Sequence, residues 1–419
     1  MQSVPGALTQ RFDDVFLLDG ARTPFTDLNG ALAPVSPTDL GIKAGRAALA
    51  RAGVDPADIG TVVAGNMAQA SFDAYFLPRH VGLYCGVPLE VPAHLVQRIC
   101  GTGIEVIAQA ADALSLGRAR AALCVGTESM SRNPVAAYTH RGGFRMGQLE
   151  FGDFLWESLL DTDCDTTMGG TAENLARDYG IGRAEVDAYA ARSFARAIAA
   201  RDAGFFADEI VPVGEETFAV AGLKPRQLKP KTRGAVVDAD SHVRPSPVEV
   251  LAAIRPAFGG VQTGGNSSAI VDGAAAVVLA SGAWLAARAR PSARPPLARI
   301  AAAAAVGVPP HRMGIGPVPA IQAVCAAAGL AVADIDRFEI NEAFGAQVLA
   351  CARALDLDEA RLNVNGGAIA IGHPLGATGV RLALTLARDL ARSGLRRGIA
   401  SACIGGGQGI ALLIENPAA

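Results

Sequence analysis

The chain has 419 residues, 50% of them hydrophobic and only 5% aromatic, so it is a compact protein of mostly aliphatic core, long enough for two or three domains or two similar halves. Its 37 Lys and Arg against 40 Asp and Glu leave a net charge of -3 and a pI near 6.1, which removes the electrostatic case for nucleic acid as a partner. Seven cysteines, without CxxC spacing or a paired His/Cys cluster, argue against a disulfide framework or a metal site and point to reduced thiols in a cytoplasmic setting.

In chain order, MQSVPGALTQRFDD lacks the basic start and apolar core of a secretory signal. Residues 48–60, ALARAGVDPADIG, read as an Ala-rich helix ending at Gly53, where a left-handed cap costs glycine little, and TVVAGN follows as a buried strand. From Cys100, CGTGIEVIAQAADALSLGRARAALCVG gives a glycine-containing turn, a helix ending at Gly117, a basic loop and an apolar strand.

The pattern breaks over 131–245. This stretch holds RGGFRMGQ, one amphipathic helix near 172–203, and KPRQLKPKTR, with the cations Lys224, Arg226, Lys229, Lys231 and Arg233 and no acid. We read it as an inserted loop domain whose cation run is either a solvated loop or a patch for an anionic ligand such as nucleotide phosphates. The longest apolar stretch, 273–287, is shorter than the roughly 20 residues a membrane helix needs, so no membrane span is expected.

Both earlier units then recur. VCAAAGLAVADID at 324–336 aligns with 48–60, setting Gly329 on Gly53, Asp334 on Asp58 and Ile335 on Ile59, and RFEIN follows as a strand. HPLGATGVRLALTLARDLARSGLRRGIASACIGG from His373 repeats the order of the unit from Cys100, with its helix ending at Gly394. Two alternating halves imply an α/β fold with mostly parallel sheets, and place Cys100 and His373 in corresponding strand-to-helix turns that meet where the halves join. The N-terminal half is 1–130, completed by about 246–285; the loop domain is 131–245; the C-terminal half is 286–419.

Four residues could carry chemistry. Cys100 precedes a helix, where unpaired N–H groups favour a nucleophilic thiolate, although a cysteine there could equally be packing. His373 lies in NGGAIAIGHPLGATGVR, whose glycines resemble a phosphate loop, but His-Pro-Leu interrupts them and no acidic residue follows at a strand end. Small neighbours would instead let a substrate and a second reactive group approach the imidazole, which could act as a general base for Cys100. Cys403 precedes three glycines, a layout for oxyanion-binding N–H groups or simply a tight hairpin. Asn341 follows a strand and opens a helix, so it either caps that helix or holds a water against an oxyanion.

These features, with DGARTPF, VQRICGTG, VGTESMSR, MGGTAENLARDYG, DEIVPV, IRPAFGGVQTGGNSSAIVDGAAA, MGIGPVPAI, NEAFGAQ, NVNGGAIAIGHPLGATG and CIGGGQG in one order, resemble the thiolase family, acyl-CoA acyltransferases that make or cleave 3-oxoacyl-CoA. The resemblance runs from about Asp14 to Glu415. It implies a five-layered αβαβα fold from two similar halves, a homodimer or homotetramer, and coenzyme A as substrate with no prosthetic group or metal. It further implies Cys100 as the acyl-carrying nucleophile, His373 as its base and an oxyanion-hole member, and Asn341 as the residue holding a water in that hole. Cys403 matches the acid/base thiol, the N–H groups of Cys100 and Gly405 match a second oxyanion hole, and Ser268, Met168, Thr167 and Arg233 fall in the region that binds acyl-CoA.

Three positions depart from the family's commoner pattern. Thr167 stands where many short-chain biosynthetic members have His, CGTG varies the residues after the nucleophile, and Gly345 replaces Ala at some expected cost in helix stability. The same residues allow a ketoacyl-synthase-like condensing enzyme, against which Asn341 and Cys403 count, or a non-catalytic acyl-CoA-binding subunit.

Overall fold

The computed structural model describes residues 4–71, 73–138, 140–288 and 295–419. The N-terminal half supplies β1 (Leu8–Arg11), β2 (Val15–Arg22), β3 (Thr26–Asp27), α1 (Pro37–Ala52), β4 (Thr61–Gly65), α2 (Leu77–Tyr84), β5 (Ala93–Val96), α3 (Thr102–Ser115) and β6 (Ala121–Ser129). The helices α4 (Met168–Asp178) and α5 (Arg183–Asp202) follow in the loop region, and β7 (Val271–Ser281) returns to the sheet. The C-terminal half supplies β8 (Ala298–Gly307), α6 (Pro317–Ala328), β9 (Arg337–Ile340), α7 (Gly345–Leu355), α8 (Leu375–Ser393), β10 (Arg397–Ile404) and β11 (Gln408–Glu415).

The repeated helices stop where the sequence says they should. Gly53 and Gly329 close α1 and α6 at φ 59° and 72°, and Gly117 and Gly394, which follow α3 and α8, take φ 67° and 64°. Ser36 starts α1 by accepting from the Asp39 N–H, with Pro37 in the first turn, where its missing N–H costs nothing.

Among the described residues these strands form one sheet in the order β9-β10-β11-β8-β2-β7-β6-β4-β5, with β1 on β8 and β3 on β7, and three short two-stranded ribbons lie apart in the loop region. The runs β4-β6-β7-β2 and β9-β10-β11-β8 are the two copies, and the equivalent strands β2 and β8 join them through Leu17/Ala298 and Phe16/Arg299. The expectation of mostly parallel sheets fails. Only β4/β5, β4/β6 and β9/β10 run parallel among the described pairs, because each copy ends in a strand that runs back along its neighbour. In the second copy three glycines connect β10 to β11, too short a link for anything but an antiparallel pair.

Helices α1 and α2 cover one face of the N-terminal strands, α6 covers the outer face of the C-terminal strands, and α3 packs against α8 between the two copies. That is the five-layered αβαβα arrangement. Its middle layer depends on glycine: a Cβ on Gly379 would lie 2.2 Å from the Ile104 nitrogen, and one on Gly103 would lie 2.5 Å from that of Val380. A Cβ on Gly376 would press the Thr127 carbonyl at 2.8 Å. The glycines after His373 therefore make room for the other half of the chain, and not, as the sequence suggested, mainly for a substrate.

In the loop region the single helix expected over 172–203 is two, parted where Gly180 takes φ 62° and Gly182 becomes the N-cap of α5. Arg226 is no free cation: it pairs with Asp39 and Asp73 and lies over the Tyr84 ring, fastening the loop region to α1 and α2. Lys224, Lys229, Lys231 and Arg233 remain exposed. A second anchor is the fully buried Arg22 of β2, held by Glu209 and Asp240. Removing one partner from such a buried pair costs about 3–5 kcal/mol. Among the described residues no helix is long and apolar enough to cross a membrane.

Candidate active site

Cys100 sits in a single turn of 3-10 helix, Ile99–Gly101, directly ahead of α3. Ile99 adopts φ 43°, and a β-branched residue there carries strain of about 1–3 kcal/mol, of the kind found where a side chain is held for function. The thiol is buried with Met67, Met130 and Leu375, the last only two residues beyond His373. Burial pushes it up to about 11, the N–H groups of Gly405 and of Cys100 itself pull it back down, and Glu128 adds to the rise. The helix N-terminus was expected to favour the thiolate. Desolvation outweighs it, and the resting group is a neutral thiol.

His373 enters from Gly372, which takes φ 108°, and its N–H donates to the Ala269 carbonyl at 3.0 Å. Its Nδ1 lies 2.6 Å from Thr378 Oγ1, whose own proton goes to the Pro374 carbonyl. The hydroxyl must therefore accept, which puts the imidazole proton on Nδ1 and makes Nε2 the acceptor nitrogen. Burial and, next, the Arg381 charge lower this group to about 3, so the ring is neutral throughout the physiological range.

Asn341 Nδ2 stands 3.2 Å from His373 Nε2. Its Oδ1 is buried and has no hydrogen-bond partner among the described residues, an acceptor open to a water or a substrate. The capping alternative falls away, because α7 starts four residues later with Phe344 at its N-cap. Gly345 also has a purpose: a Cβ there would come within 2.8 Å of Val186 on α5.

Cys403 lies near the end of β10, fully buried beside Met168, Met313 and Ala343. Burial raises it well above the usual thiol range, and the next contributions come from Cys100 and Cys351, which marks the first two thiols as neighbours. Gly406 and Gly407 form the hairpin at φ 81° and 80°, while the Gly405 N–H points at the Cys100 sulfur.

Next to this cluster opens a cavity of about 400 Å³ with His373 and Leu375 in its wall. Thr167, Met168 and Ser268 line it, whereas Arg233 stands on an exposed turn and does not. Thr167 caps α4 by accepting from the Gly170 N–H at 3.1 Å, so its hydroxyl is already engaged. The sequence reading missed Leu155, Leu159, Phe258 and Phe344, which make the lining apolar. The two phenylalanine rings meet edge to face, and Phe258 fills the space a side chain at Gly169 would need. Aromatics beside glycines in PAFGG and EAFG, in a chain so poor in aromatics, were the available signal.

These charge states give a pH prediction. A thiol titrating near 11 gains thiolate about tenfold per pH unit below that value, so inactivation of the free enzyme by iodoacetamide is expected to accelerate steadily from pH 7 to 9. A plateau already reached at pH 7 would instead reveal a thiolate–imidazolium pair at rest.

Comparison with known proteins agrees with this architecture. The family model "Thiolase, N-terminal domain" matches residues 15–283 and "Thiolase, C-terminal domain" matches 294–416. The human mitochondrial 3-ketoacyl-CoA thiolase is 42% identical over 408 residues, covering 96% of this chain and 98% of that protein. A β-ketothiolase of Cupriavidus necator is 40% identical over 406 residues, covering 96% and 99%. The crystal structure of the human mitochondrial enzyme superposes with a TM-score of 0.90 at 42% identity, covering 97% of this chain and 99% of that one. Its complex with CoA gives 0.89 at 41% identity, covering 96% and 98%. With both domains matched from end to end of the layered core, the chain belongs to the thiolase family.

Proposed function

We propose that this thiolase cleaves 3-oxoacyl-CoA with coenzyme A, and runs the reverse Claisen condensation, through an acyl group carried on Cys100. The observation that carries the reading is the pair of buried thiols brought together by one hairpin, where the N–H of Gly405, two residues beyond Cys403, reaches the Cys100 sulfur, with the neutral His373, paired to Asn341, in the wall of the adjoining cavity.

The steps follow from those groups. Cys100 Sγ attacks the 3-oxo carbon as its proton passes to His373 Nε2, and the N–H groups of Cys100 and Gly405 stabilise the resulting oxyanion. The bond between C2 and C3 then breaks, leaving the acyl group on sulfur and the enolate of acetyl-CoA. The His373 Nε2–H, now charged, and a water held by Asn341 face the enolate oxygen, while Cys403 donates its proton to the α-carbon. His373 passes its proton to the Cys403 thiolate and is neutral again. An incoming coenzyme A then gives its thiol proton to His373 Nε2 as it attacks the acyl-Cys100 thioester, and His373 returns that proton to the departing Cys100 sulfur. The two half-reactions share one site, so ping-pong kinetics follow.

The apolar cavity, with the Thr167 hydroxyl already bonded, suits acyl chains longer than that of acetoacetyl-CoA. The test is CoA-dependent cleavage across a 3-oxoacyl-CoA series. The reading expects kcat/KM to rise from acetoacetyl-CoA to longer chains, and absence of cleavage at every length would overturn it. Assembly as a homodimer or homotetramer belongs to the same proposal; the exposed Phe144, Met146 and Phe151 offer apolar surface for a second copy, and light scattering measures the mass.

A further inference from the structure

Glu128, the last residue but one of β6, is a fully buried carboxylate that the reaction steps above do not use. Both its oxygens are occupied. Oε2 accepts from the Met67 N–H at 2.8 Å and the Gly376 N–H at 2.9 Å, and Oε1 accepts from Asn66 Nδ2 at 2.8 Å and the Ala68 N–H at 3.2 Å. Three of these donors belong to the turn after β4, in the N-terminal half. The fourth, Gly376, lies in the first turn of α8, three residues after His373, among N–H groups that have no partner within the helix.

The carboxylate thus ties together the two halves of the chain at the point where they exchange their reactive residues. Met67, which it holds, packs with Cys100, Met130 and Leu375, so the tie runs along the wall of the nucleophile's own cluster. All four donors are neutral. Burial pushes the acid up to about 7 against the pull of the Met67, Ala68 and Gly376 N–H groups and Asn66, and its charge opposes thiolate formation at Cys100.

We infer that Glu128 is a positioning residue for the thiolase reaction: its carboxylate fixes the first turn of α8, and with it His373, against the Cys100 turn. The inference rests on the proposed thiolase reading. None of the four donors lines the coenzyme A cavity except through the neighbouring Leu375 and His373, so the tie should act on the chemical step and not on CoA affinity.

Glu128→Gln keeps the volume but offers one acceptor oxygen to four donors, so two N–H groups are left facing an NH2. A shift of about an ångström in reacting groups costs up to about a hundredfold in rate. In thiolysis assays the variant is expected to lose roughly tenfold or more in kcat with KM for CoA unchanged. In the absence of substrate, Cys100 should be alkylated by iodoacetamide faster than in the wild type at the same pH, because the opposing charge is gone. General loosening would also expose the thiol, so the faster alkylation counts only with an unchanged thermal unfolding midpoint and an unchanged limiting alkylation rate at high pH, both of which loosening would move.

A smaller loss in kcat, a rise in KM matching the fall in kcat, or unchanged alkylation would overturn the inference. If Glu128→Gln does not fold, Asn66→Ala removes one donor from the same carboxylate; a folded Asn66→Ala with wild-type kcat would overturn it equally. Wild-type thiolysis is the control. If the wild type cleaves no 3-oxoacyl-CoA, the functional reading fails, whereas an active wild type with an undiminished variant removes only the role of Glu128.

Discussion

Cys100→Ala is expected to form no acyl-enzyme and to lose about four orders of magnitude or more in thiolysis, since removing a covalent nucleophile leaves only binding and oxyanion stabilisation. The Gly405 N–H, the neutral His373 and the cavity all survive the substitution, so CoA should still bind. That split makes the result diagnostic. Incubating the variant with labelled acetyl-CoA should leave the protein unlabelled, and stoichiometric trapping of label would end the assignment of Cys100 as the acyl carrier.

Cys403→Ala is expected to do the opposite to the two halves of the reaction. Acylation from acetyl-CoA requires only Cys100, His373 and the two N–H donors, so label should still accumulate on the protein. Condensation requires a base for the α-carbon, and losing it should slow that step by about two to four orders of magnitude. Cys403 is fully buried, so truncation also opens a small void in the cluster with Met168 and Met313. Cys403→Ser keeps most of the volume and replaces the thiol by a far weaker acid, and it should show the same split. Condensation at near wild-type rate in either variant would remove Cys403 from its role.

The division of labour between the thiols follows from their surroundings. Cys100 has two N–H donors that stabilise charge as it forms on or next to sulfur, while Cys403 has Cys100 and Cys351 for neighbours and the deeper burial. Both rest protonated, which suits the neutral thioester end of an acyl-CoA entering an apolar cavity. Charge then appears only as the proton reaches His373.

The duplication was legible in the sequence because it is written in local chemistry. Gly53 and Gly329, like Gly117 and Gly394, mark helix ends that require a left-handed residue, and that requirement shows without any tertiary contact. Strand direction was not legible. A strand such as β7, buried on both faces along nearly its whole length, shows the same apolar run whichever way its neighbours point. The break between α4 and α5 hid behind Gly180, since single glycines also occur inside helices.

Within the site, Cys100, His373, Asn341 and Cys403 stood out from residue type and motif, but their protonation did not. Whether a helix terminus or burial decides the state of Cys100 depends on what packs over it, and Met67, Met130 and Leu375 come from three distant segments. Glu128 escaped notice for a related reason. It reads as an acid at the end of an apolar strand, and its donors arrive from 60 to 248 residues away.

The most direct measurement is peptide mapping of the wild-type protein after quenched reaction with a 3-oxoacyl-CoA. The account predicts one acyl group per chain, located on the peptide that carries Cys100 and removed when CoA is added. Acyl found on the Cys403 peptide, or cleavage proceeding with no acylated peptide at all, would contradict it.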